Sequence, residues 1–411
     1  FSVISSDPFI DLLRKAGYQN VPNSRDKFRG MTMDYEESAK IWIRSQLKEA
    51  RDKIGSLSIS FDDWTSGNNK RYMGLIVHTD ATFYYLGLIR IDGNTNASLA
   101  LDDISKRLDE FDLSFRDIAS MSSDGASINR SMANETQHNH QQCLAHGLQL
   151  AVKDTLYQRD SNKRFEVDHS EVVENTIDGG FLDLEDIGRE LVAPALKLKP
   201  NYLDIIAKVR KVVKLFRSSP TRNDKLQKFV QLEHRQTLQL ILDTPTRWNS
   251  LVSMCERFIR LRPCVDSALA QIAASEPKTR IEITNNDYSE LQTIVDTLKP
   301  VELAIKILCE QNCSLLDAHL AIEVALDQLS ELQTPMSTEL KYKIISKIQK
   351  RISHLYNVQL YLENRDLIDE PKYFELFTRD QIHGIIRDMT SYWPNSKSSD
   401  STQNIDTDSC E

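Results

Sequence analysis

The stretch Ser58-Ile59-Ser60-Phe61-Asp62-Asp63-Trp64-Thr65-Ser66 reads as a short β-strand, because its side chains alternate with a period of two. Ser58, Ser60 and Asp62 fall on one face, and Ile59, Phe61 and Asp63 on the other. The two adjacent acids therefore point in opposite directions. The strand stops in the turn-rich run Trp64-Thr65-Ser66-Gly67-Asn68-Asn69. Two further strands are predicted at once, Arg71 to Thr79 and Thr82 to Ile91. Both are rich in β-branched and aromatic residues, and only Asp80-Ala81 separates them. Asp62 is thus placed at the exit of the first strand of an antiparallel meander.

A second carboxylate follows about sixty residues on. After an amphipathic helix, Ala97 to Glu110, a fourth strand is predicted over Asp117 to Ser122. It ends in Ser123-Asp124-Gly125-Ala126-Ser127-Ile128-Asn129, where a new helix starts. This β-β-β-α-β-α order, with acids at the ends of the first and fourth strands, is the pattern of a ribonuclease-H-like domain. If those strands are neighbours, Asp62 and Asp124 can share divalent metal. Hard oxygen ligands suit Mg²⁺ or Mn²⁺, and a pair of such ions can clamp the attacking and leaving oxygens of a phosphodiester.

Four blocks in order resemble the hAT superfamily of DNA transposases and the host proteins derived from them. Asp62-Asp63-Trp64-Thr65-Ser66 matches D-x-W-T-S, and Ser123 to Asn129 is similar to (T/S)-D-x-A-x-N. Cys143-Leu144-Ala145-His146-Gly147-Leu148-Gln149-Leu150 is close to C-x-x-H-x-L-x-L, and Thr246-Arg247-Trp248-Asn249-Ser250 is identical to T-R-W-N-S. The resemblance implies an α+β fold: a ribonuclease-H-like mixed sheet, incomplete here, with a large all-α insertion domain. It implies Asp62 and Asp124 as catalytic acids and metal ligands, the motif spacing selecting Asp62 over Asp63. It implies DNA as the partner, the nucleus as the location and metal-dependent strand cleavage and transfer as the ancestral activity. The family's third acid, a Glu in an S-x-E-R-x-F-S-like dimerisation region, is not found. Nor do residues 1–56, which lack Cys and His, hold the family's BED zinc finger. The expectation is a domesticated, DNA-associating nuclear protein that is catalytically incomplete. The alternatives are a fragment of an active Mg²⁺-dependent transposase and a helical protein-interaction module without a DNA role.

Composition sets limits on these readings. The 411 residues suffice for two or three domains. With 40% hydrophobic and 27% charged residues, the chain has an ordinary globular balance, and no run of eighteen apolar residues suggests a membrane span. Six scattered cysteines suit a reducing compartment. A net charge of −9 argues against general phosphate binding, so any nucleic-acid surface must be a local basic face.

The predicted organisation is a helical segment over 1–56, the first part of the core over 57–156, and an acidic insertion loop over 157–190. A helical return with T-R-W-N-S follows over 191–250, then an all-α domain over 251–390, punctuated by Pro300, Pro335 and Pro371, and a disordered tail over 391–411. The basic face Lys208, Arg210, Lys211, Lys214 and Arg217 has two readings, a solvated helix face or a surface that tracks DNA phosphates, with self-association also open. Trp248 is either a core side chain or, by resemblance, a platform on which a base stacks, with Arg247 beside it for a phosphate or carboxylate. Asp124 reads as an N-cap as well as a ligand. Trp64, Cys143 and His146 are taken as structural parts of the motifs. Zinc on Cys143 and His146, with His138 and His140 upstream, is the weaker reading of that cluster.

Overall fold

The computed structural model describes residues 6–18, 21–22, 24–66, 70–91, 96–136, 138–164, 194–244 and 248–391. The alternating stretch forms β1 (Leu57–Thr65), with Leu57, Ile59, Phe61 and Asp63 buried and Asp62 exposed. β1 pairs antiparallel with β2 (Arg71–His78), and β2 with β3 (Phe83–Ile91). On its other side β1 pairs parallel with β4 (Ile118–Ser123), and β4 with β5 (Asn139–Gln142). The order β3-β2-β1-β4-β5 gives the mixed sheet of a ribonuclease-H-like α+β domain. The composition of β5, Asn-His-Gln-Gln, carries no strand signal, and its place beside β4 is set by tertiary pairing.

The apolar face of the sheet is covered by α2 (Arg25–Ile54), α3 (Ala97–Asp109) and α4 (Ser127–Thr136). Leu47, Ile104, Leu108 and Met132 close over Leu57, Ile59 and Phe61. A short α1 (Asp7–Lys15) precedes them. β3 is an edge strand. Its carbonyls at Leu86 and Leu88 accept from the Arg107 guanidinium, at 2.5 and 3.1 Å, across Gly87, whose φ is +92°. That arginine shields an edge that could otherwise pair with another chain.

From α5 (Leu144–Leu156) onward the described residues are almost wholly helical. β6 (Tyr157–Arg164) and β7 (Pro194–Leu198) form a separate antiparallel pair. Thus the first eight residues of the expected acidic loop are strand, as are the first described residues of the expected helical return. Residues 165–193 and 392–411, where the rest of the loop and nearly all of the expected tail fall, lie outside the described residues. Next come α6 (Pro200–Arg217), α7 (Pro220–His234), α8 (Trp248–Arg260), α9 (Arg262–Ser275), α10 (Asn285–Leu308), α11 (Leu315–Leu332), α12 (Pro335–Gln349), α13 (His354–Glu363), α14 (Asp366–Asp369) and α15 (Arg379–Ser391).

One apolar core runs from Leu144 of α5 to Ile382 of α15, joining Val209, Phe216, Trp248, Phe258, Leu298 and Leu340. No break in packing falls between 250 and 251, so α6 to α8 belong to the same helical body as the helices after them. Pro300 does not end a helix either. α10 runs through it, with Pro300 itself buried, because packing on both sides outweighs the one lost backbone hydrogen bond. Capping boxes at Thr284, Ser314 and Thr334 start α10, α11 and α12. Among the described residues no helix is long and apolar enough to cross a membrane.

Candidate acid centre

Parallel pairing sets Ser58 against Ser120, Ile59 against Met121 and Ser60 against Ser122. Carried two residues further, this register brings Asp62 level with Asp124, just past the end of β4. The sheet therefore places the two sequence-selected acids at adjacent strand ends. The Ser58 and Ser120 hydroxyls meet at 2.8 Å on the same polar face. Trp64 shares that face, and its ring lies over Gly74, the residue paired with Asp62 across β1 and β2. Asp63 faces the other way. It is 6% exposed and forms an ion pair with Arg71, whose Nε donates at 2.5 Å.

The surroundings of the two acids differ. Asp62 is exposed, whereas Asp124 is only 8% exposed. Asp124 Oδ1 accepts from the Ala126 amide at 2.9 Å and from Asn129 Nδ2 at 2.6 Å, so this carboxylate shapes the turn that opens α4. The Cys143 amide donates to the Ser123 carbonyl at 2.8 Å, which fixes the start of α5 to the end of β4. Burial pushes the Cys143 thiol up, the amides of His146 and Ala145 pull it down, and the charges of Cys309 and Asp62 raise it further. His146 is half-buried, one turn into α5. Around the centre the upstream histidines are turned to other partners. His138 Nε2 lies 2.9 Å from the Phe115 carbonyl, and His140 Nε2 lies 2.9 Å from Ser123 Oγ. Burial lowers the His140 pKa, which Asp124 raises and Arg130 lowers.

A side chain unmarked by any motif enters this centre from the helical body. Arg351 follows α12 and is 7% exposed. Its Nη1 donates to the Lys347 carbonyl at 2.9 Å. Nη2 lies 2.9 Å from where a Cβ on Gly125 would stand, and Cδ 2.9 Å from the equivalent point on Gly147. Two glycines, one next to Asp124 and one next to His146, thus leave the channel this arginine fills. Gln141 of β5 holds the same junction, donating to the Arg351 carbonyl at 2.9 Å and accepting from Ser353 Oγ at 2.6 Å. The two glycines stand in the sequence motifs, but nothing there points to a partner two hundred residues away.

Mg²⁺ takes six oxygens in near-octahedral geometry, one or two of them carboxylate and the rest water or substrate phosphate. Among the described residues no group of three or more His, Cys, Asp or Glu is placed to hold an ion. Asp124 engages its turn through Oδ1 alone, and the Arg351 guanidinium stands beside the adjoining Gly125. Among the described residues, the two acids alone do not complete the metal centre that the family resemblance implies.

The basic face on α6 divides. Lys208 Nζ donates to Asp287 at 2.6 Å, tying α6 to the first turn of α10. Arg210 makes a two-point contact with Asp243, at 2.8 and 2.5 Å, and the Asp243 side chain is 1% exposed. Arg217 reaches the Leu240 carbonyl at 3.3 Å but stays exposed. Lys211 and Lys214 are exposed on the outer stripe, opposite buried Val209, Val212, Val213 and Phe216. Lys208 and Arg210 are therefore held by carboxylates of the protein itself, Lys208 with its side chain still 41% exposed, and the outer three carry no such ion pair among the described residues. Trp248 is 6% exposed within the helical core, leaving little of its ring for a base to stack on. Arg247 lies outside the described residues.

Sheet order and an appended helical body together define an α+β domain of ribonuclease-H-like architecture. Residues 192–297 match the family model of the ZBED1 RNase-like helical domain, about a quarter of the chain. Over that stretch the chain is similar to the transposase-derived BED-type proteins, the class to which the four motifs point. No curated protein is matched by the chain.

Proposed function

We propose that this transposase-derived protein associates with DNA in the nucleus and does not itself cleave it. The observation that carries the second half is the acid centre, where Asp124 is buried and engaged in a turn and Arg351 lies alongside. Cleavage by the ancestral route needs hard cations held between the acids, and at Asp124 one carboxylate oxygen is already committed to the turn while a guanidinium brings positive charge beside Gly125. DNA association rests on the outer stripe of α6. Lys211, Lys214 and Arg217 recur every three residues and so line one side of the helix. A rigid, well-packed inner face keeps that stripe straight, so two or three phosphates can be met without reordering the chain.

The test is duplex binding across a salt series. Each neutralised phosphate contributes about −0.9 to the slope of log K against log salt, so a slope of roughly −2 to −3 is expected. Lys211→Glu with Lys214→Glu should abolish binding, whereas Lys208→Gln should weaken the fold before it weakens DNA contact. Binding that survives the double reversal would place DNA elsewhere, and none at low salt would remove the reading. Mg²⁺-dependent nicking that Asp62→Asn abolishes would instead favour an active transposase fragment.

A second reading, a protein-interaction surface, is favoured by one feature. Leu303 and Ile307 on α10 and Leu320 and Val324 on α11 are 47%, 38%, 42% and 54% exposed, an apolar pair one turn apart on each of two packed helices. A molar mass that rises with concentration in the wild type but not in Leu303→Asp/Val324→Asp would support self-association through it.

A further inference from the structure

We infer that Arg351 is the built-in counter-cation of the acid centre, occupying with a fixed guanidinium the neighbourhood of Asp124 where a divalent ion would otherwise be drawn. The inference concerns the centre's charge and holds whether or not the protein binds DNA.

Four observations carry it. Arg351 is 7% exposed, and a buried guanidinium is tolerated only where negative charge or hydrogen bonds meet it. Its only direct hydrogen bond from the guanidinium among the described residues is from Nη1 to the Lys347 carbonyl, while Nε is buried without a partner. Backbone acceptors therefore do not account for its place; burial works against its charge and lowers its pKa, and the neighbouring Cys143 and Asp124 oppose that loss. The channel is shaped for it, since a Cβ at Gly125 or Gly147 would stand 2.9 Å from its Nη2 or Cδ. Finally, its main chain is clamped by Gln141 and Ser353, so the side chain is delivered by a fixed joint between β5 and the start of α13 rather than by a mobile loop.

The chemistry follows from charge. A divalent cation approaching Asp124 meets a guanidinium already in place, with Arg130 adding to the same positive field. Asp62 remains, and a single exposed carboxylate binds Mg²⁺ or Mn²⁺ only weakly. The acid pair would thus persist beside a structural joint between sheet and helical body, its charge offset by the guanidinium at Gly125.

Mn²⁺ titration, reading free Mn²⁺ by its paramagnetic resonance signal, tests this on the full chain. In the wild type, Asp124→Asn should leave Mn²⁺ affinity within about twofold. Arg351→Met, which keeps the aliphatic stem and removes the charge, should raise affinity at least about tenfold, and adding Asp124→Asn should erase the gain. Circular dichroism melts establish that each variant is folded, and Arg351→Gln replaces Arg351→Met if the latter is not. Wild-type Mn²⁺ binding that Asp124→Asn abolishes would overturn the inference. So would a folded Arg351 variant with no gain that depends on Asp124.

Discussion

Asp62 and Asp63 are neighbours in sequence with opposite fates. The alternation of a strand sends one to solvent and the other under the sheet, and so the confounding acid could be set aside before any coordinates. Asp63 is 6% exposed and joined to Arg71. Asp63→Asn should cost about 1–3 kcal/mol, less than a fully buried pair because Arg71 is partly exposed. Asp62→Asn should stay within about 0.5 kcal/mol. Urea unfolding of the two variants separates them. Trp248→Ala should cost about 3–5 kcal/mol, the range for emptying an aromatic site in a packed core. If Trp248 instead served mainly as a base platform, its loss would leave stability nearly unchanged. Arg351 was not legible from sequence at all. A lone arginine after a helix has no local mark, and its meaning arises only when the fold brings Gly125 and Gly147 to it.

At the scale of elements, what could be read was what local periodicity encodes. α1 falls where its spacing puts it, and the ends of β1 to β4 and of α3 shift by one residue at most. β5 was silent because polar residues can form a strand when a neighbour supplies the hydrogen bonds. The basic face of α6 was legible as amphipathic, but periodicity cannot say which cations meet carboxylates from distant segments. Arg210 and Asp243 are thirty-three residues apart, with α7 between them. Gly87 illustrates an element-level constraint. Its φ of +92° is strained for any side chain, and a Cβ there would stand 2.8 Å from Arg107 Nη1 and push that guanidinium off the β3 carbonyls. Gly87→Ala should cost about 1–3 kcal/mol. It should also loosen the β3 edge, seen as faster amide exchange at Leu86 and Leu88.

At the scale of the whole molecule, the helical body carries a pH sensitivity of its own. His319 is 2% exposed, 2.7 Å from the Tyr356 hydroxyl, and burial lowers its pKa from 6.5 to about 4. The unfolded chain therefore takes up this proton first, and stability falls as the pH drops from about 6.5 towards 4. The loss from this group is on the order of 1–3 kcal/mol. Glu323, 3.6 Å from Nε2, has its carboxyl pushed up by burial and works in the opposite sense, so the net slope is shallower. Melting temperature against pH should show the decline in the wild type and a flatter profile in His319→Gln.

The pairing of β6 with β7 bears on how the chain can be rebuilt. Arg164 and Pro194 are register partners, so the polypeptide leaves the helical body and returns to it at one spot. Whatever is threaded between those positions need only begin and end side by side, and closing a longer loop costs little more than closing a shorter one. The gene should therefore accept a reporter domain spliced between codons 164 and 194 with little effect on the acid centre or the α6 stripe. A fusion made there should melt within a few degrees of the parent and leave both ends of the chain untouched.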